Sequence, residues 1–154
     1  MKKYLLIPFL LFVVVGVILF LKQTTHWPVD KLSDLQRRIN SQVNATNKTG
    51  QDSKISFAVS ESNVVLIISP PYAKISDIGK DILNPVLFGE LQSFVDSQET
   101  GHLFYVKNGQ LIDHRLLSGL VEPILGMSMR KDTVFLISRK STSGRPVRIE
   151  ILNQ

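Results

Sequence analysis

From residue 4 to residue 21 no charge interrupts the chain, and fifteen of these eighteen positions are Leu, Ile, Val or Phe. A helix of that length covers roughly 27 Å, about the hydrocarbon thickness of a bilayer. On an insertion scale the fifteen apolar residues contribute on the order of −4 to −9 kcal/mol. Pro8 falls early in the run, where a missing N–H costs least. Further along, Val29, Leu32, Leu35, Ile39 and Val43 recur at spacings of three and four, which predicts an amphipathic helix. Its stripe can pack on its own domain or against a second membrane-proximal helix. "NATNKTGQDS" then reads as a polar connector carrying two N-x-[ST] acceptors, Asn44 and Asn47.

After Lys54 the period changes to two. Ile55, Phe57 and Val59 alternate with small polar residues, and "VVLIIS", apolar on both faces, predicts a central strand ended by Pro70 and Pro71. Ile75, Ile78, Ile82 and Leu83 predict one helical face stopped by Pro85, and "PVLFGELQSFV" is expected to be a strand with a bulge at Gly89. In "GHLFYVKNGQLIDHRLL", Asn108-Gly109 between alternating runs predicts a type I′ hairpin. Regular pairing would set Lys107 opposite Gln110, Tyr105 opposite Ile112 and Leu103 opposite His114. "LLSGLVEPILGMSM" is expected to be a loop or a helical turn. "DTVFLIS" and "PVRIEIL" complete the strands, with Val147, Ile149 and Ile151 inward.

The expected fold class is α+β: one N-terminal transmembrane helix, then a small domain with a curled, mainly antiparallel sheet, barrel- or sandwich-like, and one or two helices. The expected division is a cytoplasmic tail at 1–3, a signal-anchor helix at 4–21, an amphipathic helix and linker at 22–53, and an exported β-rich domain at 54–154.

Charge adds the orientation. Lys2 and Lys3 precede the run, which holds the N-terminus in the cytoplasm and sends the C-terminal domain outward. A cleaved signal has a shorter apolar core and small residues at its cut site; "KQTTHWPVD" provides none, so the run is expected to stay as an anchor. Trp27 then lies near the outer interface or in an ordinary linker. The net charge is +5, and beyond the two topogenic lysines the excess sits in "RKDTVFLISRKSTSGRPVRIE". That face is a solvated hairpin or meets an acidic partner or anionic lipid; the topology leaves no nucleic acid to bind. With no cysteine in the sequence, the domain depends on its apolar core.

Catalytic patterns do not emerge. Ser128 in "GMSMR" lacks the second glycine of a nucleophile elbow, the histidines lack metal-ligand spacing, and phosphate-binding loops are missing. The chain is therefore expected to be non-enzymatic, without cofactor or metal. His102 and His114 lie on the two arms of the hairpin, on opposite faces in the regular register. They are candidates for pH sensing, or simply histidines on a sheet surface. A barrel mouth can also hold a small apolar ligand.

The short tail "MKKY", the uncleaved span, a β-rich exported domain and "DTVFLIS…VRIEILN" near the C-terminus together resemble the small membrane partners of ToxR-type transcription activators, the ToxS, FidL-like and PsaF/MyfF proteins. The resemblance is one of architecture and carries over no functional residue. It implies a bacterial inner-membrane protein whose periplasmic domain forms a heterodimer with a one-span activator, of a fimbrial or virulence operon, and protects or tunes it, in some members in response to acidity or bile-like ligands. An edge strand can supply the pairing surface. Two other readings stay open: a structural part of a secretion, pilus or division complex, and a stand-alone periplasmic ligand-binding domain.

Overall fold

A computed structural model describes residues 29–59, 61–79, 81–139 and 147–152. Residues 1–30 and 31–154 form separate units, and the fold below is that of the second. The expected cytoplasmic tail and anchor helix lie outside the described residues. Among the described residues no helix is long and apolar enough to cross a membrane.

The described residues open with α1 (Val29–Thr49), whose Leu32, Leu35, Ile39 and Val43 are buried, as the stripe predicted. It packs on its own domain, in one core with strands from both sheets. The helix also runs through the expected connector. Thr46 continues the stripe three residues after Val43, is buried, and meets Ser53 Oγ at 3.2 Å. Gly50 then takes φ 72° and closes the helix with an N–H to Thr46 O at 2.8 Å, the left-handed stop that favours glycine.

Among the described residues eight strands follow: β1 (Ser53–Ala58), β2 (Val64–Ser69), β3 (His102–Lys107), β4 (Gln110–Leu116), β5 (Val121–Pro123), β6 (Gly126–Ser128), β7 (Asp132–Ser138) and β8 (Val147–Leu152). They form two sheets of order β1-β7-β8-β5 and β4-β3-β2-β6, antiparallel except for the β5–β8 pair. The fold is thus α+β and mainly antiparallel, as expected; of the barrel- or sandwich-like forms expected, no closed barrel is formed among the described residues, and the strands divide between two open sheets. Ile55, Phe135 and Ile149 of one sheet share a core with Leu66, Leu103 and Tyr105 of the other. The opposite face of the second sheet, with Ile67, Phe104 and Val106, packs on Leu87, Leu91 and Val95 of a helix. β2 is buried on both faces for that reason, as its unbroken apolar run predicted.

Three expectations are corrected. The expected strand at 85–95 is helix α3 (Pro85–Ser97). Asn84 is its N-cap, its Oδ1 accepting Leu87 N–H at 2.9 Å, and Pro85 stands at the helix start. Proline punctuates both helix ends, and here it opens a helix instead of ending one. Gly89 makes no bulge; a Cβ there would meet nothing within 4 Å. The expected helix before Pro85 shrinks to one turn, α2 (Ser76–Gly79); beyond it Leu83 folds back on Gly79, where a Cβ would lie 2.6 Å from Leu83 Cδ1. Finally, 121–128 is the short pair β5 and β6, each an edge of a different sheet.

Candidate functional site: an imidazole pair beneath helix α3

The hairpin forms as Asn108-Gly109 predicted, with φ of 51° and 74°. Its register does not continue as expected. Lys107 pairs with Gln110 and Val106 with Leu111, but Tyr105 pairs with Asp113, so Ile112 is an extra residue on β4. This β-bulge shifts every later partner by one and sets Phe104, not Leu103, opposite His114. A one-residue slip exchanges faces. The sequence-based placement of His102 and His114 on opposite faces is therefore corrected: both rings lie on the α3 side. Local need explains the position of the bulge. Leu111 packs in the α3 core and Ile112 in the core shared by the two sheets, while Asp113 Oδ1 accepts His114 N–H at 2.8 Å.

His102 Nδ1 and His114 Nε2 are 2.9 Å apart, so one ring donates and the other accepts. The ring planes are within 16° of parallel, with centroids 5.1 Å apart. Phe104 stacks at 5.5 Å from His102 and 4.9 Å from His114, and Phe94 of α3 covers His114 at 4.6 Å. His102 is wholly buried, and its Nε2 has no hydrogen-bond partner among the described residues. His114 is half-buried.

This environment favours neutral rings. Burial, and then the facing His114, push His102 down from 6.5 to about 4. Burial, and then the Arg115 guanidinium, also lower His114. Arg115 itself is paired with Asp113 at 3.1 Å. The pair can therefore take up protons only against its surroundings. Among the described residues no third His, Cys, Asp or Glu joins it to form a metal-binding group. Sequence reasoning missed Phe94, hidden in the segment read as a strand. Adjacent Leu111 and Ile112 within an alternating run were the available sign of the bulge.

The other singled-out groups are not part of the site. Ser128 Oγ accepts from Thr133 Oγ1 at 2.8 Å and from Arg130 N–H at 3.3 Å. The third histidine, His26, lies outside the described residues. At the other end of α3 an open groove of about 600 Å³ runs between Pro85, Val86 and Glu90 of the helix and Gly109 and Leu111 of the hairpin.

Among the described residues each of the four sheet edges carries a feature that discourages strand addition. β5 and β6 are three residues long, and β4 is bulged. Arg38 of α1 occupies Ser56 O on β1 at 3.0 Å, while Gln36 takes Leu116 O at the end of β4 at 2.7 Å.

No protein-family model, curated protein or solved structure matches this chain.

Proposed function

We propose that this chain is a non-enzymatic, single-pass inner-membrane protein of the kind that accompanies ToxR-type transcription activators. Residues 1–3 are cytoplasmic, residues 4–21 form the anchor, and the following domain, its two sheets arranged as a sandwich, works in the periplasm. There it pairs with a one-span activator, as a heterodimer, and stabilises or tunes it. The observation that carries this reading is the uncharged run from Tyr4 to Leu21 standing ahead of a domain with its own core. The imidazole pair His102–His114 is the tuning element, since it sits buried in a domain that this topology exposes to the acidity outside the cytoplasm. The blunted edges favour pairing through a face of the domain over strand addition.

The groove beside α3 favours a second reading, a domain that binds a small apolar ligand through Val86 and Leu111. Thermal shifts against bile salts and fatty acids separate the two.

The primary test is co-expression with the one-span activator encoded beside it, following the activator's half-life under proteolysis. A longer half-life is expected, along with active alkaline phosphatase when that enzyme is fused at Gln154. An unchanged half-life, or a silent fusion, overturns the reading.

A further inference from the structure

Helix α3 is held to the rest of the domain unevenly. At its start, Asn84 Nδ2 donates to Gly109 O at 3.0 Å, a polar tether to the hairpin. Toward its end, the polar bonds run to the loop before it instead of to the sheet. Tyr72 N–H donates to Val95 O at 3.2 Å, and Gln92 bonds Ile75 N–H and Ala73 O at 3.1 and 3.0 Å. What seats this end on β3 and β4 is apolar packing together with Phe94 resting on the His114 ring.

The geometry points to the His102–His114 pair as a proton-operated latch: protonated, it releases the C-terminal half of α3 from its sheet, with Asn84–Gly109 as the hinge, and uncovers the Leu91–Val95 face. This deepens the accessory-protein reading, because it assumes a domain exposed to external acidity, and it names the element that moves.

The reason is the absence of anywhere to put the charge. Whichever ring donates in the neutral pair, a cationic His102 bears an N–H on both nitrogens, so its Nε2 is a donor in a fully buried ring, where no acceptor faces it among the described residues. A second proton removes the acceptor of the shared bond and turns two N–H groups toward each other. Nor do the surrounding charges offset this. On β4, Asp113 is committed to Arg115, and Arg115 repels a charged His114. On α3 the charged groups are Glu90, exposed at the groove, and Asp96, which accepts from Gln92 Nε2 at 2.9 Å. The remaining acidic groups of the neighbouring segments are Glu99, in the loop entering β3, and Glu122 of β5. β2 sets an uncharged Ser69 beside His102. Opening at Phe94 lets water reach both rings.

A ring held at about 4 when docked and returning to 6.5 when released favours the open form by roughly 70-fold more at pH 4.5 than at pH 7.5. The sequence contains no cysteine, so single cysteines report unambiguously. The full chain in detergent would carry Leu91→Cys on the inward face of α3, Ser93→Cys on its exposed face, or Ile137→Cys in the core of the other sheet. Each is labelled with 4,4′-dithiodipyridine, which reacts in acid. The Leu91/Ser93 rate ratio is expected to rise tens of fold on going to pH 4.5 while the Ile137/Ser93 ratio stays level. His102→Gln, which removes the ring that binds the proton, should flatten most of the rise, and His102→Phe should do the same if that variant does not fold. A level Leu91 ratio overturns the latch, as does a parallel rise at Ile137, which signals whole-domain unfolding. Because no activator is present, either result is independent of whether the chain protects one.

Discussion

His102 Nδ1 and His114 Nε2 meet at 2.9 Å across two strands whose uninterrupted register would have turned the rings to opposite faces. A single extra residue, Ile112, accounts for the difference. The contact belongs to the pairing of the strands and cannot be found in either strand alone.

Acid should destabilise this domain, and the sign follows from the direction of the shifts. His102 binds its proton near 4 when folded and near 6.5 when unfolded, so between those values the unfolded state holds more protons. Stability is complete above about 6.5 and is lost as pH falls toward about 4, by up to about 3 kcal/mol from His102 alone. The lowered His114 acts in the same direction. Urea unfolding at pH 7.5 and 4.5 measures this; equal midpoints would contradict it.

Removing Ile112 should leave the imidazole contact in place. With the extra residue gone, Val106 still pairs with Leu111, and Phe104 with His114, now in a regular ladder. The loss is the packing of one partly buried isoleucine, about 1–2 kcal/mol. Nitrogen NMR of the rings tests the register directly. Disappearance of the shared N–H···N signal in a folded deletion variant would rule this account out.

Phe94→Ala should free His114 more than it unfolds the chain. Phe94 is partly buried, and its ring lies 4.6 Å from that of His114. Truncation is expected to cost about 2–3 kcal/mol. It also lets water reach the imidazole, so the His114 pKa rises toward its ordinary value. An NMR titration that shows no upward movement would place the cause of the shift elsewhere.

Asn84→Ala removes two bonds at once, the cap to Leu87 N–H and the tether to Gly109 O. A loss of about 1–2 kcal/mol is expected. Asn84→Asp keeps the acceptor and loses the donor, so it should lose less. If both variants unfold at the same denaturant concentration, the cap contributes nothing.

Gly101→Ala should be worse than its small size suggests. A Cβ there would lie 2.3 Å from Pro123 Cγ and 3.3 Å from Ser69 O, directly before the buried His102. Overpacking of this kind costs about 1–3 kcal/mol. A melting temperature equal to that of the parent chain would show that β5 yields freely.

Elements governed by local periodicity were legible in the sequence. The α1 stripe, the alternation in β1, β7 and β8, the all-apolar β2 and the Asn-Gly turn each state their own conformation, because helix and strand periods act over a few residues. Where a local signal has two meanings, tertiary contacts decided. Pro85 marks a helix end in either direction, and only the sheet face awaiting Leu87, Leu91 and Val95 makes it a beginning. Thr46 reads as connector until Ser53 returns to meet it.

The site itself needed the fold. Sequence identified both histidines and the hairpin that carries them, but a strand's face is set by the partner it pairs with, and a bulge lies in that pairing. The division of the strands between two sheets, and the placing of Phe94 above His114, likewise come from contacts between residues far apart in the chain. Short-range patterning determined which segments bury an apolar side, whereas the assembled structure alone decided which side chains would share that interior.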